Sequence, residues 1–259
     1  MISGVIAEIG NAHNGGLQRA HRLIEESAKA GASAAKFQCY TIPELCALRG
    51  TAKDEMVTVE PWTHMTMGEL YGLAETPHSW FPSLIRKCKE VGIPWFSSVF
   101  GMDSLALLEK LGCPAYKLAS LDVEQHAFRR AVLQTGKLVI QSAPHFWYIK
   151  GVQMLYCPPG YPQDGSIAAM DAIKDFMRVC DGFSYHGTNP DVPLYAKECG
   201  AKIIEVHVQL DDEPSELEQN VSLTISQLRE LTGRRDLGKV RGKRTRGRTT
   251  VTAKMEVLK

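Results

Sequence analysis

Gly182-Phe-Ser-Tyr-His-Gly-Thr-Asn-Pro-Asp-Val-Pro-Leu-Tyr-Ala-Lys-Glu-Cys-Gly-Ala-Lys-Ile-Ile-Glu-Val-His207 reads as a strand, a short loop, a helix and a second strand, with a histidine where each apolar run meets polar residues. About 21 residues separate His186 from His207, which a loop, a helix of about three turns and a strand fill. Parallel strands need such a crossover, and the strand tops of a (β/α)8 barrel all open on one face. The pattern therefore delivers two imidazoles to one mouth. Two unrelated histidines, one capping a loop and one satisfied in the core, are the competing reading.

Working outward, eight runs rich in apolar and β-branched residues recur: Val5 to Ile9, Ala34 to Gln38, Trp95 to Val99, Ala115 to Ala119, Leu138 to Ser142, Gln153 to Cys157, Gly182 to Tyr185 and Lys202 to Val208. Amphipathic stretches lie between most of them, as at Leu17 to Ala30, Ser79 to Val91, Ser104 to Leu111 and Ile167 to Val179. Alternation of β and α with buried-type strands predicts a parallel sheet, and eight units predict its closure into a TIM barrel. The nine residues Ala143 to Gly151 are too few for a crossover helix, so the outer ring is expected to be thin after the fifth strand. Arg49 to His78 reads as an elaborated loop over the barrel top rather than a second core.

The 259 residues fit one barrel, expected over 1–232, followed by a basic tail or truncated linker over 233–259. A net charge of +1 predicts no general attraction to polyanions. The N-terminus carries no secretory pattern and no stretch is long and apolar enough for a membrane span, so a cytoplasmic protein without a membrane partner is expected. Seven scattered cysteines with no Cys-x-x-Cys pair read as reduced, buried thiols. From Arg234 the run Arg-Arg-Asp-Leu-Gly-Lys-Val-Arg-Gly-Lys-Arg has no apolar periodicity. It reads as a solvated tail or linker in preference to a nucleic-acid-binding tail or an anion-binding arm over an active site.

Chemistry-bearing residues gather at strand ends. Ile6-Ala-Glu-Ile-Gly-Asn-Ala-His-Asn-Gly-Gly16 closes the first strand with a carboxylate, Glu8, and a polar turn. Lys36 and Gln38 alternate on the second strand and face one side; Lys117 and Ser120 repeat the device on the fourth. A lysine inside a strand buried on both faces is costly unless it meets an anion, so two of them point to a phosphate or carboxylate ligand.

In order and spacing, Ala7-Glu-Ile-Gly-Asn-Ala-His-Asn-Gly15, Lys36-Phe-Gln38, Phe96-Ser-Ser-Val-Phe100, Pro114-Ala-Tyr-Lys-Leu-Ala-Ser120, Phe183-Ser-Tyr-His186 and Ile204-Glu-Val-His207 resemble the N-acetylneuraminate (nonulosonic acid) synthase family, from residue 5 to about 232. The resemblance implies a TIM barrel that condenses phosphoenolpyruvate with an open-chain amino-sugar aldehyde, N-acetylmannosamine-like, releasing phosphate and forming a nine-carbon 2-keto acid. It implies that His186 and His207 hold a divalent metal, manganese first and magnesium or cobalt as substitutes. By the same carry-over Lys117, Ser120, Ser142 and Ser184, with Ser98, match phosphoenolpyruvate-binding positions. Lys36, Gln38, Tyr161 and Glu218 match substrate positions, and Glu8 and Glu205 the carboxylates near the reacting carbons.

Three departures stand out. Tyr185 replaces the aspartate that the family places before the first metal histidine, Pro159 replaces an asparagine that meets phosphoenolpyruvate, and Glu218 stands where an aspartate is usual. The family also continues into a small antifreeze-like domain, and Thr245-Arg-Gly-Arg-Thr-Thr-Val-Thr-Ala-Lys254 reads as the start of a linker toward it. A homodimer and a separately encoded antifreeze-like module are the partners this implies. Two other functions remain open on the sequence: a related 2-keto-sugar-acid synthase taking a shorter aldehyde, and a non-catalytic barrel acting as a binding or regulatory subunit.

Overall fold

A computed structural model describes residues 2–58, 60, 62–163 and 165–233. Eight parallel strands run in sequence order around a ring: β1 (Gly4–Glu8), β2 (Ala34–Cys39), β3 (Trp95–Val99), β4 (Ala115–Leu118), β5 (Leu138–Ala143), β6 (Val152–Tyr156), β7 (Gly182–Tyr185) and β8 (Ile203–Gln209). Pairing of β1 with β8, in register from Gly4 with Ile203 to Glu8 with His207, closes the barrel. All eight predicted strands are present, with ends displaced by one residue at most. Residues in register across parallel strands point the same way, so Glu8 shares its layer with Lys36 and His207, and Ser98 lies between Gln38 and Lys117.

The outer layer comprises α1 (Leu17–Lys29), α2 (Ile42–Arg49), α3 (Met67–Ala74), α4 (Phe81–Val91), α5 (Met102–Lys110), α6 (His126–Gln134), α7 (Ile167–Phe176), α8 (Asp191–Glu198) and α9 (Ile225–Gly233). Helical spacing places Ala20, Leu23, Ile24 and Ser27 on the buried face of α1. Leu23 and Ile24 are fully buried, each contributing roughly 1.5–3 kcal/mol of transfer free energy. Between β5 and β6 there is no helix, as the short connection requires.

Two features differ from the sequence expectation. The 49–78 segment contains α3, begun by a capping box between Thr66 and Glu69. It is also packed by a small apolar cluster of its own, Tyr40, Leu45, Cys46, Tyr71 and Phe100, which ties α2 and α3 to the barrel rim. Tyr40 and Phe100 flank this segment and Tyr71 comes from α3 within it, so no local period announces their contact. The second difference is a ninth strand, β9 (Ser222–Thr224). β8 outruns β7, whose pairing stops at Tyr185 with Val206, and β9 takes up His207, Val208 and Gln209. Three residues are too few to show a strand period in sequence.

Among the described residues no helix is long and apolar enough to cross a membrane. The seven cysteines are all free thiols, five of them buried. The basic tail and the linker reading of 245–254 lie outside the described residues.

Candidate active site at the barrel mouth

The first strand ends in Glu8 and turns at Gly10, whose φ of 41° lies in the left-handed region. A Cβ at Gly10 would stand 3.0 Å from Glu8 Oε1, 3.2 Å from Glu218 Oε2 and 3.4 Å from Gln38 Nε2. Glycine there lets three predicted site residues close around the turn. Lys36 forms an ion pair with Glu8, donates to Ser98 Oγ at 2.8 Å and lies 3.7 Å from Glu205 Oε1. Lys117 approaches the same Glu205 oxygen at 3.6 Å and donates to the Leu118 carbonyl at 3.1 Å. Ser184 donates to Glu205 Oε1 at 3.3 Å. Both lysines thus converge in the barrel, where protein carboxylates already meet part of their charge.

Burial sets the electrostatics. It lowers the Lys36 ammonium to about 8, with Glu205 opposing the shift and Lys117 adding to it. Burial pushes the Glu205 carboxyl up, but Lys117, Lys36 and His207 outweigh it and hold the group below the usual carboxylate range. Glu218 follows the same balance, its desolvation outweighed by His207 and Tyr161.

The two histidines meet, their ring centroids 5.1 Å apart, and Tyr161 stands beside both at 5.0 Å from His186 and 6.1 Å from His207. His207 Nδ1 lies 3.1 Å from Glu218 Oε1, which also accepts from Tyr161 Oη at 3.0 Å and Asn11 Nδ2 at 3.1 Å. Glu218 thus sets a carboxylate beside the Nδ1 edge of His207, although Nδ1 is buried without a hydrogen-bond partner. His186 is held by Gln163, whose amide oxygen accepts from the His186 backbone N–H at 3.1 Å and whose Nε2 lies 3.1 Å from Nδ1. Burial, then His207 and the two lysines, push the His186 imidazole well below its ordinary value, so it is neutral as a ligand must be. Among the described residues no group of three or more His, Cys, Asp and Glu side chains is arranged for a metal ion.

The hydroxyl positions occupy the opposite arc. Ser142 Oγ is buried without a hydrogen-bond partner, as are Glu8 Oε1 and Glu205 Oε2. Ser120 opens a 3-10 turn over Ser120–Asp122, and burial pushes the nearby Cys157 thiol up. All thirteen predicted site residues therefore lie at or just inside one mouth. Sequence reasoning missed Gln163, which fixes His186, and gave no role to Asn11, which fixes Glu218. Asn11 lay within a motif already singled out; Gln163 follows Tyr161-Pro162 in an irregular loop and carries no signal of its own.

The substitution at Tyr185 has a structural explanation. Strand alternation turns Ser184 into the barrel and Tyr185 outward, where its ring stacks with Phe183 at 6.1 Å and its hydroxyl accepts from the Asn189 backbone at 3.3 Å. His13, from the same motif as Glu8, is a buried spacer. Its Nδ1 accepts from Gly15 N at 3.0 Å, Nε2 lies 3.3 Å from Thr76 Oγ1, and burial lowers it to about 4.

A sequence model described as the NeuB family matches residues 23–144 and 149–245. The pseudaminic acid synthase of Campylobacter jejuni subsp. jejuni serotype O:23/36 is 29% identical over 224 residues, covering 80% of this chain and 65% of that protein. The human N-acetylneuraminate-9-phosphate synthase is 28% identical over 246 residues, covering 88% of this chain and 67% of that one. The chain thus spans about two thirds of the length of the curated relatives it matches. Among solved structures, an N-acetylneuraminic acid (sialic acid) synthetase from Leptospira borgpetersenii serovar Hardjo-bovis superposes with a TM-score of 0.73 at 24% identity, covering 93% of this chain and 88% of that one, a likeness of fold.

Proposed function

The chain belongs to the NeuB family, and from that premise we propose that it condenses phosphoenolpyruvate with an acylamino-sugar aldehyde to give a nonulosonic 2-keto acid and phosphate. The observation that carries this reading is the convergence of Lys36 and Lys117 on Glu205, two residues before His207 on β8, within a single barrel mouth. Two ammonium groups and a set of inward hydroxyls suit a small dianion bearing phosphate and carboxylate, and the neighbouring imidazoles suit an aldehyde oxygen.

Lys117, Ser120, Ser142 and Ser184 hold the phosphoenolpyruvate, and Lys36 with Ser98 faces its other side. Lys36, released in part from Glu8 by the incoming anion, leaves that carboxylate free to carry a proton. C3 of phosphoenolpyruvate attacks the aldehyde carbon, Glu8 delivers a proton to the new alcohol, water adds at C2, and phosphate leaves with its bridging oxygen. Tyr161, Gln38 and Glu218 orient the sugar, while Asn11 and Gln163 keep Glu218 and His186 in place. His186 and His207 would hold a divalent cation such as manganese, which when bound would supply Lewis-acid polarisation of the aldehyde. As partners we propose the two substrates and a homodimer.

Sugar-dependent phosphate release from phosphoenolpyruvate, measured with manganese across aldoses and 2-acetamido sugars, tests the reading. It predicts release with an acylamino sugar and its loss in His207→Ala. Release with a shorter aldose only would move the function to a related 2-keto-sugar-acid synthase. Phosphoenolpyruvate binding without release from any sugar would make the barrel a binding subunit, a reading that Tyr185, on the outer face, does not support.

A further inference from the structure

The two lysines inside the barrel are held differently. Lys117 donates to the Leu118 main-chain carbonyl at 3.1 Å, an acceptor that needs the lysine's proton. Lys36 ends among side chains instead: Glu8 in the ion pair, Ser98 Oγ at 2.8 Å and Glu205 Oε1 at 3.7 Å. It is buried, so its amine is shut away from bulk water.

Desolvation and a neighbouring cation are the two conditions that turn a lysine from a cation into a nucleophile. Lys36 meets both, since it is buried and Lys117 approaches the same Glu205 oxygen at 3.6 Å. Burial is the largest cause that brings its ammonium down to about 8, Lys117 adds to the shift, and Glu205 and Glu218 oppose it. An amine with the ordinary value of 10.5 is almost wholly protonated near neutrality, whereas Lys36 comes within reach of its neutral form.

The neighbouring groups supply the rest of carbonyl chemistry. Glu8 stands in register with Lys36 across β1 and β2, and beyond the ion pair neither of its oxygens has a hydrogen-bond partner among the described residues. That carboxylate is free to take and return a proton. Lys117 on β4 and Ser142 on β5, whose Oγ has no partner, suit the carboxylate of a small acid.

We propose that Lys36 forms an imine with a 2-keto acid and that the barrel thereby exchanges the acid's C3 protons with solvent. This activity goes beyond the condensing function, since it needs neither the sugar nor phosphate. The Lys36 ammonium passes a proton to Glu8 across their ion pair, and the neutral Nζ adds to the C2 carbonyl. A proton shift from nitrogen to oxygen gives the neutral carbinolamine. The Glu8 proton then goes to its hydroxyl, which leaves as water from the iminium. Glu8, again a carboxylate, takes a C3 proton; the C–H pair becomes the C2–C3 double bond and the iminium pair returns to nitrogen. Exchange of the Glu8 proton with solvent and reversal of these steps restore the keto acid and the amine, with no oxidant or reductant consumed.

The test uses the full chain with pyruvate as the probe and a chelator present, because an imine needs no metal. In deuterated water, proton NMR is expected to show the pyruvate methyl signal decaying about tenfold or more faster than with the denatured chain. Borohydride added to the same mixture is expected to leave a reduced pyruvyl group on the peptide that contains Lys36, found by mass mapping. Lys36→Arg should abolish both signals. The mapping is made on the unaltered chain, so the assignment does not depend on how that variant folds. No exchange, exchange that appears only with manganese and leaves no adduct, or adducts on Lys117 or spread over surface lysines, overturns the imine. Sugar-dependent phosphate release by the same preparation judges the condensing function separately.

Discussion

On the β8–β1–β2 side of the mouth, Lys36 pairs with Glu8 and approaches Glu205, and His207 lies against Glu218, whereas the β5 side presents Ser142 buried without a partner. The first side is a set of charged groups in which each member is held by another, Lys117 joining it through Glu205. The second is a buried hydroxyl whose partner comes from neither the strands nor the loops above it. Removing a group from the first should disturb fold and chemistry together; removing one from the second should disturb ligand binding alone.

The largest effect is expected at the imidazoles. His207→Ala should lower kcat about a thousandfold, roughly 4 kcal/mol of transition-state stabilisation, with phosphoenolpyruvate affinity changed only a few-fold, as steady-state kinetics beside direct binding will show. Next comes Lys36→Met, which leaves Glu8 and Glu205 buried without their shared cation. Denaturant unfolding should register a loss of about 3–5 kcal/mol. The Glu8→Gln, Lys36→Met double variant should recover part of it.

The pH response sharpens the same contrast. Lys36 holds its proton only below about pH 8 in the folded chain, against an ordinary value of 10.5. Between these values the unfolded chain binds the extra proton, so this group makes stability rise with pH across that window. Phosphoenolpyruvate binding, which needs the charged ammonium, should fall as pH rises through about 8. Opposite slopes in unfolding and in kcat/KM are the signature; parallel slopes would move the titration to another group.

Smaller effects belong to the hydroxyl side. Ser142→Ala removes a buried, unpartnered oxygen, so stability should be unchanged or raised by about 0.5–1 kcal/mol, while KM for phosphoenolpyruvate rises about tenfold. A loss of stability instead would show that the oxygen has a partner in the folded chain. Smallest of all, Tyr185→Phe deletes one contact on the outer face and should leave kcat within twofold, at a cost of roughly 1 kcal/mol or less in unfolding.

The same division explains what was legible in the sequence. The charged side announces itself because Lys36 and Lys117 interrupt strands that should be apolar and because His186 and His207 end two runs joined by one crossover. The strands themselves show as apolar runs of fixed spacing, which is why their number and order could be read. Ser98 and Ser142 are ordinary residues in a strand, and only the family resemblance marked them. Gln163, which orients His186, depends on the path of a loop without periodicity. β9 pairs only because β8 outlasts β7, a consequence of strand stagger that no local pattern encodes.

The most direct measurement follows the bridging oxygen of phosphoenolpyruvate labelled with 18O at C2, in a reaction with manganese and an acylamino sugar. Condensation with C–O cleavage predicts sugar-dependent phosphate that keeps the label, together with an equal amount of nonulosonic 2-keto acid by mass spectrometry. Unlabelled phosphate with pyruvate, formed whether or not the sugar is present, would mean P–O cleavage and would contradict the account.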